Sequence, residues 1–285
     1  MSVLVRKLGP EDRATLDAFL LEHADSSLFL RSNLLAGGIV DEGRPLQATY
    51  AGAFEEGALV GVAAHCWNGN MLLQAPRCLG EVVRAAMALS GRTVHGVVGP
   101  WAQVCAVRGA LGVADTPPAF ESQDELFAVA LADLVRPRVL DEPDVRCRTT
   151  RDDDMDLLVR WRVAYAIETL HARPGDPMYD EARADMERHH ASGGAFLLER
   201  AGSPVSVTTF NARLPDVVQI GGVFTPPELR GRGYARAVVA GQLIAVAGSG
   251  VRRAVLFTGR DNLPAQRAYT SIGFRRIGDY GLVRL

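Results

Sequence analysis

Stretches with the period of a strand and stretches with the period of a helix alternate along this chain from Val3 onward. No other feature narrows the possible folds as far. Such alternation predicts helices packed on a mainly central sheet, an α/β or α+β fold, rather than a helical bundle or a strand sandwich. At 285 residues the chain is longer than one ordinary core fills, so two domains are expected. The boundary is read at Arg136-Pro137-Arg138-Val139-Leu140-Asp141-Glu142-Pro143-Asp144, a charged stretch with two prolines that follows a strand-like run over 125–134. The expected domains are 1–140 and 141–285.

The two halves echo each other. Val5-Arg6 followed by Asp12 has the spacing of Val145-Arg146 followed by Asp152. Phe54 to Val62 and Leu198 to Val207 both read as strand, tight glycine turn, strand. These echoes predict a duplicated fold. In the second half, Asp152 is read as the N-cap of a helix, so Asp152-Asp153-Asp154 is helix-start chemistry rather than a metal site. A closing pair of strands is expected to run through Leu285.

Composition removes several function classes. A formal charge of −2 gives no electrostatic footprint for nucleic acid or an anionic membrane surface. No run of about 18 uncharged apolar residues is present, so no membrane-spanning helix is expected. The first residues go straight into strand alternation without a signal-peptide core, which predicts a cytoplasmic protein. Cys66, Cys78, Cys105 and Cys147 show no metal-ligand spacing and are read as small buried side chains in a reducing compartment.

The chemistry concentrates in Val223-Phe224-Thr225-Pro226-Pro227-Glu228-Leu229-Arg230-Gly231-Arg232-Gly233-Tyr234-Ala235-Arg236-Ala237. A strand ends, the chain turns through two prolines, and a small-residue loop opens a helix. Unpaired amides at a helix N-terminus, with the dipole behind them, bind anions, and Gly231 and Gly233 let the backbone approach one closely. A Walker loop is excluded because the required Lys is missing. A dinucleotide fingerprint is excluded because Arg236 stands where the third small residue belongs.

Arg230-x-x-Gly233-x-Ala235 resembles the pyrophosphate loop of the GNAT superfamily of coenzyme A-dependent N-acyltransferases. Asn262-x-x-Ala265-x-x-x-Tyr269-x-x-x-Gly273-Phe274, one helix and one strand later, is similar to that superfamily's second segment. The resemblance covers roughly 140 residues. The first half shows neither segment, and after Asn70–Gln74 it reads Ala75-Pro76-Arg77-Cys78. The whole therefore resembles two-domain bacterial GNAT proteins: tandem folds, each a mixed, mostly antiparallel sheet flanked by helices, with a degenerate first half that does not bind coenzyme A.

The resemblance implies that Arg230, Gly231, Arg232, Gly233, Tyr234 and Ala235 wrap the pyrophosphate of acetyl-CoA through their amides. It implies that Val223, Phe224 and Thr225 line the pantetheine arm, one amide there polarising the thioester carbonyl. Asn262 caps its helix and touches the cofactor arm, and Tyr269 is the match to the general acid. The implied activity is acetyl transfer to a primary amine in a ternary complex. Transfer of a longer acyl group, an aminoacyl-tRNA donor and a non-catalytic acyl-CoA sensor stand beside it. The family often places a carboxylate base on the central strand, but Val217-Val218-Gln219-Ile220-Gly221-Gly222 contains none. Glu168, late in the first helix of this half, is the first candidate, with His171, His189 and His190 behind it. Acceptor choice is expected in the first two helices and the loop Arg173-Pro174-Gly175-Asp176-Pro177. The acceptor's identity and the oligomeric state are not encoded legibly.

Overall fold

Residues 3–112, 117–172 and 175–285 are described by the computed structural model, with backbone alone at 176 and 177. They form two compact units, Met1–Leu126 with Gly278–Leu285, and Phe127–Ile277. The segment expected as a linker lies inside the second unit. Its prolines flank a 3-10 turn, Arg138–Asp141, and Val139 and Leu140 pack against that unit's core. Apolar burial there outweighs the linker-like composition.

In the first unit β1 (Val3–Lys7) is followed by α1 (Arg13–Glu22), α2 (Leu28–Gly37), β2 (Ala48–Glu55), β3 (Ala58–Cys66) and β4 (Asn70–Gln74). Then come α3 (Leu79–Ser90), β5 (Gly96–Pro100), α4 (Trp101–Ala110) and β6 (Phe120–Ala130), whose last residues belong to the second unit. Strands β1 to β4 pair antiparallel in sequence order, and β4 pairs parallel with β5. The C-terminal residues of the chain pair antiparallel with β5 and complete this sheet.

The second unit repeats the order. It contains β7 (Val145–Thr149), α5 (Met155–Thr169), α6 (Asp176–Ala191), β8 (Ala195–Arg200), β9 (Ser203–Arg213) and β10 (Val217–Phe224). These lead to α7 (Tyr234–Val246), β11 (Arg253–Gly259), α8 (Leu263–Thr270) and β12 (Arg275–Arg284). Strands β7 to β10 are antiparallel neighbours, and β10 runs parallel to β11. The expected closing strand pair is one strand, β12.

The shared order extends to side chains. Arg6 grips Asp12 bidentately at 2.6 and 2.6 Å, and Arg148 grips Asp154 at 2.6 and 2.9 Å. In each case the same carboxylate also accepts an amide three residues earlier, from Gly9 and from Arg151. The equivalent pair is therefore Arg148–Asp154, two residues on from the pair matched by spacing. Asp152 and Asp154 also exchange roles, since Asp154 ends the 3-10 turn before α5 while Asp152 is exposed and meets His190. The hairpins correspond as well. Glu56 and Gly57 (φ 50° and 84°) match Ala201 and Gly202 (φ 48° and 77°), two left-handed residues in each turn.

Helix α7 buries almost every residue from Ala237 to Leu243. The large polar side chain in this buried stretch, Gln242, is fully buried and satisfied, accepting from Thr208 Oγ1 and donating to the Gly194 carbonyl, both at 3.0 Å. Val218, Ile220, Phe196 and Leu198 pack on the α7 side, whereas Leu158, Met186, Leu197 and Val207 form a separate core with α5 and α6. No helix of the described residues is long and apolar enough to cross a membrane.

Candidate active site

The site grows from the way β10 leaves its neighbours. Pairing with β11 covers Val217, Gln219 and the residue between them, opposite Arg253 to Val255, and then stops. From Ile220 on, the two parallel strands separate. On the other side a bulge lies between Gly221 and Phe224, where Gly221 faces Thr209 and Phe224 faces Val207. One extra residue on β10 takes Gly222 and Val223 out of the ladder. It also changes the face of the strand: Val218 and Ile220 point to α7, but Phe224 joins the α5–α6 core, 6.1 Å from the Trp161 ring.

Glycine is required here for space as well as for angle. The Asn211 side chain occupies the place of a side chain at Gly221, and Gly222 is left-handed (φ 56°) beneath Thr209. The result is a wedge between two parallel strands, edged by amides that no strand uses.

Beyond Phe224 the chain runs through Thr225, Pro226 and the 3-10 turn Pro227–Leu229 to the loop Arg230–Gly233. Gly231 (φ 77°) has open space around it, and Gly233 (φ 81°) is the N-cap of α7 without any side-chain cap. The first amides of α7 are thus left to a ligand. Arg236 folds its guanidinium over Gly233, about where a β-carbon there would meet Nε at 3.1 Å, and its buried Nε has no hydrogen-bond partner. A cation in the first turn opposes the helix dipole, so an anion at this spot relieves two unfavourable terms together. The sequence reading used Arg236 only to exclude a dinucleotide site. Its fold-back over a left-handed glycine was the missing signal.

Other expected residues are differently employed. Arg230 donates from Nε to the Thr225 carbonyl at 2.9 Å and from Nη2 to Glu168 at 2.7 Å, so its side chain fastens the loop to the end of α5. Glu168 is held by this guanidinium and does not line the recess described below. Arg232 is exposed, and Tyr234 is buried with its hydroxyl accepting from Arg200 at 3.1 Å. Thr225 is buried and shares a hydrogen bond with Ser206, whose hydroxyl also donates to the Phe224 carbonyl. Asn262 caps α8 by accepting from the Ala265 amide at 3.3 Å.

Tyr269 is buried on α8 against Phe274, ring centroids 6.1 Å apart. Burial, reinforced by the nearness of Tyr165, pushes its phenol well above the ordinary value. Of the histidines, His190 lies between Thr150 and Asp152, and burial lowers His189 and keeps it neutral. His171 is left-handed and follows α5. Of the expected selectivity loop, Arg173 and Pro174 lie outside the described residues. Cys105, expected buried, is exposed, and all four cysteines are free.

A shallow recess open to solvent lies between α5, α6 and the strands β9 and β10 and reaches Gly222 at the bulge. Trp161, Tyr165 and Phe224 form its aromatic walls, and Arg162 and Asp185 are its charged groups.

Comparison with known proteins follows the same division. Residues 157–274 match the model of the Acetyltransferase (GNAT) family. Over the whole chain, solved structures of similar fold include a Drosophila protein at TM-score 0.68 and 12% identity, covering 100% of this chain and 99% of that one. A GCN5-related N-acetyltransferase from Sphaerobacter thermophilus has TM-score 0.57 and 14% identity, with 99% and 95% covered. A tandem GNAT protein from the clavulanic acid biosynthesis pathway has TM-score 0.55 and 12% identity, with 100% and 98% covered. At these identities the likeness is one of fold. No curated protein matches the sequence. The family match spans the wedge, the glycine loop and the capped helix of Tyr269, so the second unit carries a GNAT acetyltransferase domain, and the chain as a whole shares its fold with tandem GNAT proteins.

Proposed function

We propose that the second unit transfers an acetyl group from acetyl-CoA to a primary amine by direct attack in a ternary complex, in the cytoplasm. The observation that carries this reading is the wedge: β10 leaves β11 after Gln219, and the bulge frees amides beside a left-handed glycine loop. These residues fit a pyrophosphate-bearing thioester. The amides of 230–235 and the Arg236 guanidinium suit the phosphates, and the edge from Val223 to Thr225 suits an amide-containing arm. When bound, acetyl-CoA supplies an activated acyl group and a thiolate leaving group. The amides at Gly222 and Val223 are placed to bind a carbonyl oxygen as it gains charge.

Tyr269 is assigned as the acid. Burial keeps its proton on at every working pH, so the donor form needs no tuning. A thiol near 8.5 is a weaker base than this phenolate in water, but a dry site raises the thiol too and narrows the gap. Glu168, with Arg230 on it, is assigned to holding the loop rather than to taking the amine's proton. With no carboxylate on β10, the proton leaves through water. Calorimetry with CoA, followed by thiol release from acetyl-CoA across a panel of amines, tests the reading. Failure to bind CoA sinks it, and binding without transfer to any amine leaves only an acyl-CoA sensor.

A further inference from the structure

The recess beside the bulge holds an arginine whose ion pair is made through Nε. Arg162 on α5 places Nε 2.7 Å from Asp185 Oδ2, with its guanidinium 5.1 Å from the Tyr165 ring centroid. Asp185 is also held by Arg188, and His189 Nε2 stands 3.5 Å from it. One carboxylate thus serves two guanidinium groups, while burial keeps His189 neutral. Arg188 is largely exposed, its side chain 68% accessible, and water screens it. Arg162 is 26% accessible and lines the recess. Among the described residues, no hydrogen bond reaches its two terminal nitrogens.

We infer that the acceptor is a small amine that also carries a carboxylate, and that Arg162 holds the carboxylate while the amine lies toward Gly222. This rests on the acyl-transfer reading above and names its substrate class. A guanidinium with both terminal nitrogens open matches a carboxylate through two parallel hydrogen bonds. The aromatic walls favour an apolar or aromatic body between the two ends.

The test uses the full chain with acetyl-CoA, following thiol release. Free amino carboxylates, including glycine, β-alanine, leucine, phenylalanine and tryptophan, are each compared with the matching amide. At least one carboxylate should exceed its amide in kcat/KM by on the order of 10²-fold, the scale of a lost hydrogen bond to a charged group. Arg162→Gln should raise that carboxylate's KM by a similar factor and erase the preference. The Kd for CoA, read by calorimetry, should stay within about twofold, which also shows that the variant is folded. Arg162→Lys, which keeps the charge but not the fork, should restore part of the loss. Amides or plain amines that work as well as carboxylates overturn the inference and leave acyl transfer standing. So does an unchanged preference in Arg162→Gln, or CoA binding with no transfer to any carboxylate. Loss of CoA binding in the wild type brings down both readings and is recognisable as such.

Discussion

After β4 the first unit takes four residues, Ala75 to Cys78, to reach α3, whereas after β10 the second takes nine, Thr225 to Gly233, to reach α7. Both slots sit where two parallel strands stop pairing, at Leu72 opposite Val98 and at Gln219 opposite Val255. Both helices start from a left-handed residue, Cys78 (φ 56°) and Gly233 (φ 81°). The short loop closes on itself. The Arg77 carbonyl occupies the space a side chain at Gly61 would need, and the Arg77 guanidinium pairs with buried Glu55 at 2.5 Å. The long loop leaves Gly231 in open space and the Arg236 Nε without a partner. One architecture thus gives a slot filled by the protein's own charges and a slot that leaves a donor unpartnered. A binding site is kept by what the loop leaves unsatisfied, not by the strand order.

The largest expected effect breaks the open slot. Gly233→Val places a β-branched residue at φ 81° and removes the close approach, so CoA affinity should fall by on the order of 10³-fold. The strained residue should also cost about 1–3 kcal/mol of stability. Cys78→Gly in the first unit should create no second site, and calorimetry should give one CoA per chain. A stoichiometry of two would erase the contrast between the slots.

Next in size is the matched pair of ion pairs. Arg148 is 10% accessible and serves both Asp154 and Glu199, while Arg6 is 39% accessible and serves Asp12. Arg148→Met strands two largely buried carboxylates and should cost ~3–5 kcal/mol. Arg6→Met should cost about 1–3 kcal/mol, the range for a lost charged hydrogen bond near water. Hydrogen exchange should place each loss in its own unit, and equal costs would show that burial is not what separates them.

Tyr269→Phe removes one oxygen from a buried ring. It should lower kcat by ~10²-fold with little change in the acetyl-CoA KM, the usual scale for a positioned acid. A wild-type rate would make Tyr269 a packing residue like the buried Tyr280, whose phenol burial also raises.

The smallest effect is common to both units. Asp12 and Asp154 are held below the ordinary carboxylate range, chiefly by hydrogen bonds from Arg6 and Arg148. Asp41 is held lower still by Arg92. A depressed folded-state pKa means that the unfolded chain binds more protons. This stability is present in full above about pH 4 and is lost as pH falls through the folded-state values. Urea midpoints should fall between pH 5 and pH 3, and Arg148→Met should flatten the slope. An unchanged wild-type midpoint over that range would contradict the assignment.

Much of this was open to inspection in the residues themselves. The two glycines, the two prolines and the helix-capping Asn262 act through local backbone geometry, which short sequence encodes, and the structure finds each in its expected local role. The hairpin echo survives for the same reason, because a two-residue left-handed turn is a local requirement. Spacing pairs Arg6 with Arg146, two residues short of its structural counterpart Arg148, because a strand fixes its register through its partner and not through its own spacing.

The sequence by itself determined the glycine loop that opens α7, the cap of α8, the acid-free central strand and the duplicated order of elements. Tertiary structure alone decided the rest. It gave Phe224 to the α5–α6 face through a bulge, set Glu168 on Arg230, and brought Arg162 and Asp185 into one recess. It also assigned Gly278–Leu285 to the first unit while Phe127 onward belongs to the second. Each of these depends on groups far apart in the chain meeting across strands and helices. Backbone hydrogen bonds accept any side chain, so the pairing of distant strands, and the charges they carry together, is settled only when the whole sheet forms.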